Sequence, residues 1–113
     1  MSANDPEYHR AYKQKHYAEN KQRYIDQAAA RREKLAEEVR LLKSKPCCDC
    51  GVQYAWWVMQ FDHRDPAQKE SYVSHLVRDY KRKKVFEEIE KCDVVCANCH
   101  ADRTYRRSHA DVV

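Results

Sequence analysis

The chain has 113 residues, with 22 Lys and Arg against 18 Asp and Glu, six Cys, three Pro and a single Gly. Leu, Ile, Val and Phe together number 18, too few for aliphatic burial alone to hold a domain of this length, so a metal, disulfides or a partner chain must help. The longest apolar run, Tyr54 to Met59, is far too short to span a bilayer, and one glycine excludes glycine-rich phosphate loops and dinucleotide fingerprints.

Met1 to Tyr12 is polar and charged and lacks the apolar stretch of a secretory signal. A reducing, cytoplasmic setting is therefore expected, and there six cysteines point to metal rather than disulfides. Asp5-Pro6 offers an N-cap followed by proline at the first helical position, which opens a helix predicted from about Pro6 to about Leu42. Ile25, Ala28, Arg32, Leu35, Val39 and Leu42 form a heptad-like stripe with one polar interruption. Two readings of it weigh equally: a short coiled coil that makes a homodimer, or a face laid on the second half of the chain. Before Ile25, Tyr8, Tyr12, Tyr17 and Tyr24 stand among Arg10, Lys13, Lys21 and Arg23. That is either a solvated face or an arm that tracks phosphates, because Lys and Arg neutralise phosphate and Tyr donates hydrogen bonds to it.

Residues 1–46 carry 11 basic and seven acidic side chains, whereas 47–113 carry 11 of each and all six cysteines. Lys45-Pro46 marks the junction, since proline discourages helix continuation. The division expected is a basic amphipathic helical segment, 1–46, and a Cys/His module, 47–113. Within the module, Gly51 directly follows a cysteine pair and suits the tight turn of a metal knuckle. Tyr54 to Phe61, rich in aromatic and β-branched residues, is predicted as a strand that Asp62-His63-Arg64-Asp65-Pro66 breaks. Short helices are predicted over Ser71–Tyr80 and Lys84–Lys91, a short strand at Val94-Val95, and a helix over Ala97–Arg107; the last few residues are expected to fray. The basic run Arg78, Lys81, Arg82, Lys83 and Lys84 reads as a solvated helix end or a DNA contact.

Cys47-x-x-Cys50 and Cys96-x-x-Cys99 carry the strongest signal. Two-residue spacing brings both thiolates of a pair within about 2.3 Å of one ion, and two such pairs complete a tetrahedral zinc site. A redox CxxC would not explain the second pair. Cys48 could replace Cys47 in a tighter arrangement, although the paired spacing favours Cys47, and Cys92 reads as a small buried side chain.

From Pro46 to Arg107 the chain resembles the zinc-bound HNH endonucleases common in phages and bacteria. The resemblance rests on Cys47-x-x-Cys50-Gly51, then Phe61-Asp62-His63, then Glu88 to His100 with both cysteines of the second pair, and Arg103-Thr104 after it. It implies a small α+β fold, a ββα-metal module stapled by a structural zinc on four cysteines and preceded by the long basic helix. It implies a DNA endonuclease in which His63 is the general base that activates water, while Asp62 and His100 hold a catalytic Mg²⁺, Mn²⁺ or similar ion. The asparagine that usually orients the base falls near Lys91-Cys92, where there is none, so Asn98 is the candidate for that role. Arg103, Arg106 and Arg107 would grip phosphates beside the cut, and double-strand cleavage would need a dimer or a partner protein. The chemistry fits the residue types: imidazole is a suitable base near neutral pH, and a carboxylate with an imidazole suits a hydrated divalent ion. His75 and His109 lack such company. Two alternatives keep the zinc pairs without catalysis: a zinc-stabilised DNA-binding module, and a helical adaptor whose functional face is the stripe.

Overall fold

The computed structural model describes residues 4–110. The expected fraying of the last residues lies outside them. The described residues form a small α+β structure with four α-helices and one two-stranded antiparallel sheet. None of those helices is long and apolar enough to cross a membrane.

Helix α1 spans Pro6–Lys43. Asp5 starts it as expected: its side chain accepts the Glu7 N–H at 2.9 Å and its carbonyl accepts the His9 N–H at 3.1 Å. The chain divides into two compact units, one ending at Glu33 and one beginning at Lys34, so the division falls inside α1 rather than at Lys45-Pro46. Packing explains where it falls. Leu35 and Val39 are buried with Leu76 and Val85, while Ile25, earlier on the same stripe, is 48% exposed.

The second unit is built around strands β1 (Met59–His63) and β2 (Cys92–Cys96), which pair antiparallel with Phe61 opposite Val94 and Asp62 opposite Asp93. The predicted strand from Tyr54 is thus corrected in its first half. Trp56–Val58 is a 3-10 turn in which the two indoles meet edge to face at 5.7 Å. Pairing covers only five residues on each strand, and it carries β1 through Asp62 and His63, which the sequence had placed in the break. Helices α2 (Val73–Arg78) and α3 (Arg82–Ile89) lie between the strands in sequence, and α4 (Ala97–Ser108) follows β2 directly.

Two small apolar clusters replace a single core. One holds Cys47, Met59, Val94, Val95 and Cys96; the other holds Leu35, Val39, Leu76 and Val85, and Phe61 packs against both. The turn between α2 and α3 is closed by Lys81 N–H to the Leu76 carbonyl and Tyr80 N–H to the Val77 carbonyl, with Tyr80 at φ 51°. That is the Schellman pattern with tyrosine where glycine is normally found.

Candidate metal and active site

Gly51, at φ 73°, turns the chain after the first cysteine pair. The Gly51 N–H bonds the Cys47 carbonyl and the Cys47 N–H bonds the Val52 carbonyl, each at 2.9 Å, which closes a knuckle. The second pair straddles the junction of β2 and α4, where the Cys96 sulfur accepts the Cys99 N–H at 3.4 Å and so caps the helix. The four sulfurs of Cys47, Cys50, Cys96 and Cys99 all lie within 4.8 Å of one another. A zinc tetrahedron with bonds of about 2.3 Å has sulfur–sulfur edges of about 3.8 Å, so this cluster is able to hold such an ion with little movement. Although burial opposes it, backbone N–H groups around Cys47 bring its thiol down to about 6. Cys99 is pushed up to about 12, first by its hydrogen bond with Cys96 and then by burial. One thiol thus ionises early and another resists, the behaviour of sulfurs crowded together. A divalent cation relieves that crowding. Cys92 stands apart, with its thiol donating to the Glu88 carbonyl, and burial pushes it up to about 11.

Because side chains alternate along a strand, adjacent Asp62 and His63 face opposite sides of the sheet. Asp62 meets α4. Its Oδ1 lies 3.2 Å from His100 Nε2 and accepts Arg107 Nη1 at 2.8 Å, while its Oδ2 accepts Arg103 at 2.9 Å and Arg107 Nη2 at 2.7 Å. Burial pushes the Asp62 carboxyl upward, but the two guanidinium groups outweigh it and hold it at about 2. On the same face, Gln60 Oε1 lies 2.5 Å from His100 Nδ1, so the imidazole is held between the Gln60 amide and the Asp62 carboxylate.

His63 points the other way, where its Nε2 lies 3.2 Å from Glu88 Oε1 on α3. Glu88 is only 3% exposed and is fully engaged: it also accepts the Glu70 N–H at 3.0 Å and Lys91 Nζ at 3.2 Å. Burial raises the Glu88 carboxyl, and these donors overcome that and bring it down to about 2. An ionised carboxylate only accepts, so Nε2 of His63 is the nitrogen that donates to Glu88. Asn98, by contrast, is exposed on α4 with no bond to His63 among the described residues, so the group that orients this imidazole is Glu88. The sequence carried only a faint signal of it: Glu88 shares a short helix with Val85, another buried position three residues earlier.

The arginines expected to grip phosphate are differently occupied. Arg103 makes a bidentate pair with Asp49, both bonds at 2.6 Å, and also bonds Asp93 at 3.0 Å. It thereby offsets the repulsion of Asp62 and Asp93, which sit directly opposite across the strands, and ties the cysteine knuckle to the sheet. Arg106 pairs with Asp102 at the surface and Arg82 with Glu38 at 2.6 Å. Lys81 and Lys84 are exposed around the start of α3, and Arg10, Lys13, Lys21 and Arg23 are exposed along α1 in the unit that ends at Glu33. Spacing alone could have found the Asp62 partners, because His100, Arg103 and Arg107 recur at three and four residues on one face of α4.

A cleft of about 970 Å³ runs beside these groups, with Asp62, His63, His100 and Arg107 in its wall. No family model, curated protein or solved structure matches the chain.

Proposed function

We propose that the protein is a metal-dependent DNA endonuclease of the HNH type. The observation that carries this reading is the meeting of Asp62, at the end of β1, with His100, on the first turn of α4, 3.2 Å apart in the wall of a cleft that His63 also lines. Two antiparallel strands and a helix position these groups, and the cysteine cluster fixes the helix start next to His100. Asp62 and His100 would hold a divalent ion such as Mg²⁺ or Mn²⁺, which supplies Lewis-acid stabilisation of the scissile phosphate. His63 is the general base: with Nε2–H held by Glu88, its Nδ1 takes a proton from water. The carboxylate thus plays the orienting part expected of an asparagine. Lys and Arg around the cleft hold the DNA backbone, and zinc on the four cysteines builds the module.

One constraint follows from the geometry. A carboxylate offers about four lone-pair sites; arginine hydrogen bonds take three of those on Asp62, and His100 Nε2 stands 3.2 Å from Oδ1. Ion loading is therefore eased when an arginine releases an oxygen. Arg107 is the better placed, being the more exposed of the two, and phosphate is a natural alternative partner for it.

These arginine pairs also favour a second reading, a zinc-stabilised DNA-binding module in which Asp62 is only the hub of an ion-pair cluster. Incubating supercoiled plasmid with zinc-loaded protein and Mg²⁺ or Mn²⁺ separates the two. Nicking that His63→Ala abolishes, with zinc content and circular dichroism unchanged, supports the nuclease. DNA binding with equal residual nicking by both proteins leaves the binding module.

A further inference from the structure

Three cation–aromatic pairs line the cleft. Arg40 Cζ lies 4.9 Å from the centre of the Trp56 ring, Lys43 Nζ 5.1 Å from Phe61 and Lys69 Nζ 3.6 Å from Tyr72. Arg40, Lys43 and Lys69 give the wall three cations beside the pair that Arg107 makes with Asp62, the one carboxylate there. Trp56 and Tyr72 remain 38% and 58% exposed, so ring surface is open to an incoming group. Alternating cations and aromatic faces are what a single strand needs: phosphates meet the cations and bases stack on the rings. In a paired duplex both faces of each base are already stacked, so only an unpaired base has a face to give.

We propose that this cleft takes an unpaired nucleobase, so that the DNA this protein acts on carries a gap, mismatch or single-stranded stretch beside the cut. The inference rests on the nuclease reading for its location and adds the substrate class. The volume is ample for one base with its flanking phosphates, and the position of Asp62, His63 and His100 in the same wall sets the scissile bond next to the stacked base.

The test is binding without turnover. Full-length, zinc-loaded protein with no added Mg²⁺ or Mn²⁺ is titrated onto a fully paired duplex and onto the same duplex with a short gap that exposes a 2-aminopurine. The expected result is binding about tenfold tighter to the gapped DNA, with the 2-aminopurine fluorescence quenched by stacking. Trp56→Ala should lose about tenfold in affinity for the gapped DNA together with the quench, and Trp56→Phe should restore most of both. Tyr72→Ala, at a more exposed position, is an independent second variant. Trp57→Ala, 70% exposed and outside the cleft, should bind like the parent protein. Equal affinity for paired and gapped DNA, or equal losses in the Trp56 and Trp57 variants, overturns the proposal. Plasmid nicking reports separately: cleavage that needs His63 but ignores gaps overturns this inference alone. Gap-selective quenching without any cleavage supports the cleft assignment and overturns the nuclease reading.

Discussion

Leu35 and Ile25 lie on one apolar stripe of α1, and the structure assigns them opposite energetic roles. Leu35 is fully buried against Leu76 and Val85, whereas Ile25 is 48% exposed. Leu35→Ala removes a side chain whose burial is worth about 1.5–3 kcal/mol and leaves a cavity, so a cost of about 3 kcal/mol is expected. Ile25→Ala removes little burial and substitutes a better helix former, so its effect should stay within about 0.5 kcal/mol. Urea unfolding of the zinc-loaded protein, followed by tryptophan fluorescence, reads both. With a slope of about 1–2 kcal/mol per molar urea, Leu35→Ala should shift the midpoint by about 1.5–3 M, independently of protein concentration. A coiled coil would make the two substitutions similarly costly and the midpoint concentration-dependent. That pattern, or a Leu35→Ala cost under about 1 kcal/mol, would refute the placement of the last turns of α1 in the second unit.

Tyr80→Gly should stabilise the protein by about 1 kcal/mol in the same assay, because glycine adopts φ 51° without the clash a Cβ creates. Chelating the metal, or Cys96→Ser, should melt the sheet and α4 by circular dichroism, since one cysteine cluster joins the knuckle to both. With zinc bound, a maleimide should label exposed Cys48 quickly and leave Cys92 unlabelled until unfolding, because Cys92 is buried and its thiol is pushed up to about 11. Glu88 is lowered from 4.5 to about 2, so the stability it contributes is present above about pH 4.5 and lost as pH falls through about 2. Glu88→Gln should accordingly cost about 2–3 kcal/mol at pH 6, and the gap to the parent protein should close in acid; a constant gap would contradict the ionised state.

Much of the fold was legible in the sequence. The Asp5 cap, the long first helix, the knuckle at Gly51 and the two cysteine pairs are local features, fixed by backbone sterics and by the spacing that lets two sulfurs reach one ion. The resemblance put Asp62 and His100 at one site as holders of an ion, and the two side chains lie 3.2 Å apart. The strand start at Tyr54 was misplaced because aromatic content signals a half-buried surface, not the extent of pairing, and β2 offers only five residues to pair with.

The shortage of large apolar residues pointed to something other than a conventional core, and the cysteine spacing pointed to four sulfurs that do gather closely enough to hold a metal ion. What the sequence could not contain is which polar groups meet. Glu88 reaches His63 across 25 positions, and Arg103 gathers Asp49, Asp62 and Asp93 from three separate segments. Such contacts leave no periodic trace in the chain, because a carboxylate on a helix looks the same whether it faces water or an imidazole. Only the pleat of β1, which turns Asp62 to one side and His63 to the other, decided which partner each would have.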